Sequence, residues 1–153
     1  MDCMTRPAPD DDATAISAVI LRALRETNAS EYAGEIIDRI ALSFSPLAVR
    51  QLMTTRKVFV GTIGNRVVGT ASLEGSVVRT AFVAPDVQAR GIGRLLMAEI
   101  DRAAREQHMP VLTLRSSVTA EAFYARLGFR AVHDSYHGDE RTILMERSLD
   151  ESL

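Results

Sequence analysis

The chain has a single cysteine, Cys3, so neither an intrachain disulfide nor a multi-cysteine zinc site can form. Its three histidines are scattered, with too few acids near them to suggest a metal centre. No apolar run approaches the roughly 20 residues that cross a bilayer. The N-terminal Met1-Asp2-Cys3-Met4-Thr5-Arg6 lacks the basic and apolar regions of a secretory signal, which predicts a cytoplasmic protein. There is no internal repeat, no low-complexity segment and no long run of like charge. A net charge of −2 argues against a nucleic-acid partner held by a basic face. What remains is a chain of 153 residues, 46% hydrophobic and 25% charged, which predicts one soluble domain over residues 1–153 with a substantial core.

The most informative stretch is VVRTAFVAPDVQARGIGRLL, Val77 to Leu96. It opens as a run of β-formers, breaks at Pro85-Asp86, and becomes helical in its apolar spacing after Gly91-Ile92-Gly93. A strand feeding a glycine-containing turn that opens a helix is a phosphate-binding arrangement. The first helical amides lack intrahelical partners, the helix dipole adds positive potential, and glycines let the backbone approach the anion. Two familiar fingerprints are excluded by spacing. A dinucleotide motif needs glycine three positions after Gly93, where Leu96 stands, and a P-loop needs Lys-Ser/Thr where Arg94-Leu95 stands.

The rest of the chain frames that stretch. Met4 to Pro7 reads as a short strand, and Asp12 to Arg25 as an amphipathic helix with Ile16, Val19, Ile20, Ala23 and Leu24 on one face. Asn28-Ala-Ser30 separates it from a second helix bearing Ile36, Ile37, Ile40 and Ala41. Ser45-Pro46 supplies a cap and first turn for a third helix. Lys57 to Ile63, Arg66 to Leu73 and Val77 to Ala84 make a meander of three strands, the third apolar enough to be central. A helix from about Ile92 to Gln107 should bury Leu95, Leu96, Ile100, Ala103 and Ala104 and turn Arg94, Glu99, Arg102, Arg105 and Glu106 outward. It leads to a strand over Val111 to Leu114, parallel to the one before the loop. Ala120 to Leu127 is a helix stopped by Gly128, with Phe129 able to fold back onto Phe123 or Tyr124. Phe129 to Val132 and Thr142 to Met145 are the last strands, with His137-Gly138-Asp139 in the turn between them. This order predicts an α+β fold, a mixed, mainly antiparallel sheet with helices on both faces.

The pattern Q-x-x-G-x-G at Gln88 to Gly93 resembles the pyrophosphate loop of the GNAT superfamily of N-acetyltransferases. The segment Ala120-x-x-Phe123-Tyr124-x-x-x-Gly128-Phe129 is similar to a second segment of that family, and the element order matches over nearly the whole chain. The resemblance implies acetyl-CoA as co-substrate, with its pyrophosphate on Gln88, Ala89, Arg90, Gly91, Ile92 and Gly93 and on Arg94 at the helix start. It also implies a splayed parallel strand pair whose split takes the pantetheine arm along backbone groups of Ala81, Phe82 and Val83. The family often has Asn seven positions before the tyrosine; this chain has Ser117.

The implied partners are an amine, small molecule or peptide, with no nucleic acid and no membrane; a homodimer is compatible with the family. Acetyl transfer from a thioester needs an unprotonated amine, a polarised carbonyl, a stabilised oxyanion and a proton for the leaving thiolate. No protein nucleophile is needed, which favours direct attack over an acyl-enzyme at Cys3. Tyr124 matches the family's proton donor, and a phenol with a pKa of about 10 is protonated at neutral pH. A backbone amide at Phe82 or Val83 is the implied oxyanion donor. Glu74, at a strand end beside this region, is the first candidate for general base, with His133 and His137 after it. A non-catalytic acetyl-CoA sensor and an interaction domain remain the alternative readings.

Overall fold

The computed structural model describes residues 2–26, 33–138 and 140–149, without the side chains of His137 and Glu140. Its strands are β1 (Cys3–Pro7), β2 (Lys57–Ile63), β3 (Arg66–Glu74), β4 (Val77–Val83), β5 (Val111–Ser116), β6 (Arg130–His137) and β7 (Glu140–Ser148). They form one sheet in the order β1-β2-β3-β4-β5-β7-β6, which makes β4 central as its apolar sequence predicts. The helices are α1 (Ala13–Glu26), α2 (Gly34–Leu42), α3 (Pro46–Leu52), α4 (Ile92–Glu106) and α5 (Glu121–Arg126). No helix among the described residues is long and apolar enough to cross a membrane.

Every strand pairing is antiparallel except β4–β5, which is parallel and registers only at Val77 with Thr113. The Thr113 N–H donates to the Ser76 carbonyl at 3.0 Å. Beyond that point the strands part, because each is committed on its other side. β4 follows β3 up to Val83, opposite Gly69, and β5 follows β7 up to Ser116, opposite Ile143. This is the expected split.

A second irregularity lies within β4. Ala71 pairs with Ala81, but Leu73 pairs with Val78, so β4 carries an extra residue there. Ser72 Oγ closes the gap by accepting the Thr80 N–H at 3.2 Å. The bulge changes which face the strand presents, a common device beside active sites. Val78 packs into one core and Phe82 into the other.

Those two cores cover opposite faces of the sheet. Ile92, Leu96, Met97 and Ile100 of α4 pack with Phe59, Val68, Leu112 and Phe129 on one face. Ile16, Ile20 and Leu24 of α1, Ile37 of α2 and Val49 of α3 pack with Val60 on the other. Adjacent Phe59 and Val60 of β2 enter different cores because strand side chains alternate. Each fully buried aliphatic side chain contributes about 1.5–3 kcal/mol.

The chain-end signals act as read. Ser45 Oγ accepts the Ala48 N–H at 3.1 Å, with Pro46 in the first turn of α3. At the end of α5, Gly128 is left-handed (φ 96°), and the Phe129 and Gly128 amides donate to the Tyr124 and Ala125 carbonyls. This is the complete Schellman pair.

Three expectations need correction. Leu95 is 42% exposed, and Met97 is buried in its place. The stripe on α4 is centred on Ile92, Leu96 and Ile100, and Leu95 stands about 100° round the helix from Leu96. Glu99 is largely buried rather than facing out; it accepts from Thr5 Oγ1 at 3.2 Å and pairs with Arg102. The final hairpin is longer than its apolar run, because β6 is an exposed edge strand and needs no alternation of hydrophobic residues. The Asn28-Ala-Ser30 separator and Asp139 lie outside the described residues.

Candidate active site

At the end of β4, a short 3₁₀ turn over Pro85–Val87 leads into the loop. Gln88 is extended, whereas Ala89 (φ 66°) and Gly91 (φ 79°) are left-handed. Left-handed residues in such turns create concavities lined by backbone N–H groups. Alanine pays a steric penalty there that glycine does not, so Ala89 holds local strain at the loop's centre. Gly91 then stands at the N-cap of α4, a position more often held by a side chain that accepts from the first amides.

The N-terminus of α4 is consequently open. Gly91 supplies no side-chain cap, no acid occupies the first turn, and Arg94 does. Without an anion this arrangement is unfavourable, because three amides lack acceptors and a cation faces the positive end of the dipole. Among the described residues neither Arg90 nor Arg94 has an acidic partner. A bound anion resolves all of these at once, so the residues present suit a phosphate group.

Asp86 fixes the loop to the rest of the molecule. Its carboxylate takes two hydrogen bonds from Arg66 at the start of β3, both 2.8 Å, and one from Arg22 of α1 at 2.9 Å. Bonding to Arg66, foremost, holds the carboxyl well below the usual carboxylate range. Because the folded pKa is depressed, the tether persists at neutral and mildly acid pH. Asp86→Ala is expected to raise the KM for the anionic co-substrate about two- to fivefold, as suits exposed pairs, with kcat unchanged. Simple electrostatics gives the opposite sign, since the change removes a negative charge near an anion site. Steady-state kinetics would decide, and an unchanged or lowered KM would exclude a positioning role.

The second motif meets the first through Phe123. A Cβ built on Gly93 would stand 3.1 Å from Phe123 Cζ, so the absence of a side chain at Gly93 is what admits this ring to the first turn of α4. Phe123 packs edge-on against Tyr124 at 5.1 Å between ring centroids, and Tyr124 against Phe129 at 5.9 Å. Tyr124 is half-buried, its hydroxyl has no hydrogen-bond partner among the described residues, and burial pushes its pKa up to about 12. The loop and Tyr124 are thus linked through Phe123 at the first turn of α4.

Comparisons with known proteins bear on the family and the fold. Residues 28–145 match the family model of the acetyltransferase (GNAT) domain. The chain belongs to the GNAT acetyltransferase family. A GCN5-related N-acetyltransferase from Rhodopseudomonas palustris has the same fold, with TM-score 0.88, 22% identity, and coverage of 97% of this chain and 96% of that one. PaiA N-acetyltransferase from Thermoplasma acidophilum, solved with coenzyme A, gives TM-score 0.85 at 15% identity, covering 97% and 99%. YncA from Salmonella typhimurium, a putative acetyltransferase solved with acetyl-CoA, gives 0.68 at 24%, covering 97% and 95%. No curated protein sequence matches the chain.

In this GNAT domain the other candidate residues are less uniformly placed. The β5-facing side of Phe82 and Val83 has no strand partner, but Gln88 Nε2 reaches the Val83 carbonyl at 3.4 Å. The Phe82 ring turns away, onto Phe44. Ser117 Oγ accepts the Ala120 N–H at 3.2 Å and so caps the turn into α5. Glu74 lies opposite Val77, at the far end of β4 from the loop, about 20 Å from Val83 at strand rise. It pairs with Arg79 at 3.1 Å and lies 3.9 Å from Arg56 Nε. Glu74 therefore stands at the end of β4 opposite the loop. His133 is exposed on β6, two strands beyond β5, and the side chain of His137 lies outside the described residues.

Sequence reading missed Asp86, seen only as part of a chain break, and Ser72, whose role depends on a bulge. It also missed Arg56, which donates to Thr80 Oγ1 at 3.1 Å beneath α1 and α3. None of the three has a motif around it.

Proposed function

We propose that the protein transfers the acetyl group of acetyl-CoA to a primary amine by direct attack within a ternary complex. The observation that carries this reading is the Phe123–Gly93 contact, which joins an open anion-binding helix terminus to a protonated, unpartnered Tyr124. The amides from Gln88 to Gly93, with Arg90 and Arg94, hold the pyrophosphate. The split between β4 and β5 takes the pantetheine arm, with Ser117 at its edge. In the reaction the new N–C bond forms as the C–S bond breaks, and Tyr124 supplies the proton to the departing thiolate. A backbone N–H of Phe82 or Val83 donates to the oxyanion, where β4 has no strand partner on its β5 side.

The experiment is calorimetric titration with acetyl-CoA followed by acetylation assays across amine classes. Micromolar binding is expected, roughly −8 kcal/mol, with much weaker binding of NAD and ATP. No acetyl-CoA binding, or binding without transfer to any amine class, would overturn the reading. Glu74→Gln belongs in the same assay. Glu74 is our first candidate for the base, ahead of His133 and His137; if it serves, the substitution removes a step from the pH profile of kcat/KM. If it serves only to pair with Arg79, the profile follows the amine's own pKa and survives.

A further inference from the structure

Glu99, Arg102, Ala103 and Glu106 of α4 keep the i, i+3, i+4, i+7 spacing that puts side chains on one face of a helix, and this face looks onto the edge of the sheet at β1 and β2. β1 ends at Pro7, opposite Phe59. The chain then crosses to the other face of the sheet, where Ala8 packs with the core beneath α1. β2 begins two residues before Phe59, at Lys57, so its first turn of strand lacks β1 beside it. Between this end of β2 and α4 lies a cleft of about 410 Å³. That is within the size range of small-molecule sites. Acetyl transfer makes no use of it, because the Glu106 end of the 15-residue α4 stands about 22 Å from the turn at Gly91.

Phe59 and Ala103, both buried, give the cleft an apolar floor. Glu99 pairs with Arg102 and also accepts from Thr5, so these two wall residues neutralise each other. Lys57 and Glu106 differ. Both are exposed at the rim, and neither has a hydrogen bond or ion pair among the described residues. Lys57 stands on the strand wall, on the α4 face like its cross-strand partner Leu73 and like Phe59 two positions on. Glu106 stands on the helix wall as the last residue of α4, where the helix dipole is already negative. An unpartnered acid is unfavourable there, and a cation corrects it. A ligand of positive charge alone meets Lys57 and Arg102, and one of negative charge alone meets Glu99 and Glu106. A ligand with one charge of each sign satisfies both unpaired groups at once.

We propose that this cleft is a second ligand site that takes a free α-amino acid with an apolar side chain. The ammonium meets Glu106, the carboxylate meets Lys57, and the side chain lies over Phe59 and Ala103. The charged groups of the cleft are at its rim and the apolar ones at its floor, which matches a molecule whose two charges share one end. A zwitterion with its charges at opposite ends has no apolar end to insert. No bond is made or broken in this site, and binding there does not depend on acetyl-CoA.

The test uses the full chain without acetyl-CoA and follows its backbone amide signals by nuclear magnetic resonance during titration with leucine, methionine and phenylalanine. At least one is expected to saturate with a Kd of about 1 mM or lower. The shifts should gather at Lys57 to Phe59 and Glu99 to Glu106. Removing one charge from that ligand, as its amide or as its deaminated acid, is expected to weaken binding about three- to fivefold, as suits exposed charges. Glycine, which lacks the apolar side chain, should bind about tenfold more weakly. Lys57→Gln is expected to erase the preference over the amide, and Glu106→Gln the preference over the deaminated acid, with acetyl-CoA affinity unchanged in both. No saturation below about 10 mM would overturn the proposal. So would equal binding of the amino acid and its amide, preferences that survive both substitutions, tighter binding of γ-aminobutyrate, or shifts centred on Gln88 to Gly93. Both substitutions alter exposed side chains, and the ligand series in the unmodified protein decides the matter without them. Failure of acetyl transfer would show in the acetyl-CoA titration instead, and so is distinguishable.

Discussion

Tyr124→Phe is expected to lower kcat by about 10²- to 10⁴-fold while the KM for acetyl-CoA stays nearly constant. The substitution removes one oxygen and keeps the ring, so the edge-on contacts with Phe123 and Phe129 survive. Nothing among the described residues depends on the hydroxyl for a hydrogen bond, and the fold should tolerate its loss. Burial raises the phenol to about 12, so it keeps its proton across the pH range in which amines become nucleophilic. The wild-type kcat should accordingly show no decline between about pH 7 and 10 from this group. An unchanged kcat in the variant, measured where chemistry is rate-limiting, would make Tyr124 a packing residue only.

Gly91→Val is expected to weaken acetyl-CoA binding by about 100-fold or more, the equivalent of losing two charge-assisted backbone hydrogen bonds. Space is not the reason, since a Cβ at Gly91 would meet nothing within 4 Å. The reason is its left-handed backbone, which a β-branched residue resists. The loop would relax and turn its amides away from the phosphate. Gly91→Asn tolerates the conformation better and should retain most of the affinity. Gly93→Val acts by another route, because its side chain collides with Phe123 and displaces the neighbouring Tyr124. It should therefore depress kcat as well as affinity. Equal binding by wild type and Gly91→Val in calorimetry would remove the loop from the site.

The strand–turn–helix from Val77 to Leu96, the Ser45-Pro46 helix start and the Gly128 helix stop were legible in the sequence. Each depends on interactions among residues close in the chain: a cap reaching three residues on, a left-handed glycine, an apolar stripe of helical period. The two motifs were readable for the same reason, since short fixed spacings encode local backbone shape. The length of β6 was not, because an exposed edge strand leaves no hydrophobic pattern. Glu99 was assigned to solvent on helical period alone, whereas Thr5 of β1 and Arg102 engage it.

By itself, then, the sequence determined an α+β fold, the glycine turn that opens α4 and the glycine stop that ends the helix of Tyr124. Only the tertiary structure decided that these two helices meet, through a ring that packs on Gly93 from thirty residues along the chain. It alone placed Glu74 at the end of β4 away from the loop, tied Asp86 to Arg22 and Arg66, and left the Arg56 Nε without an acceptor. The physical reason is common to all four. Charge, burial and hydrogen-bond satisfaction are properties of neighbours in space, and in a sheet whose sixth position is filled by its seventh strand those neighbours are not neighbours in the chain.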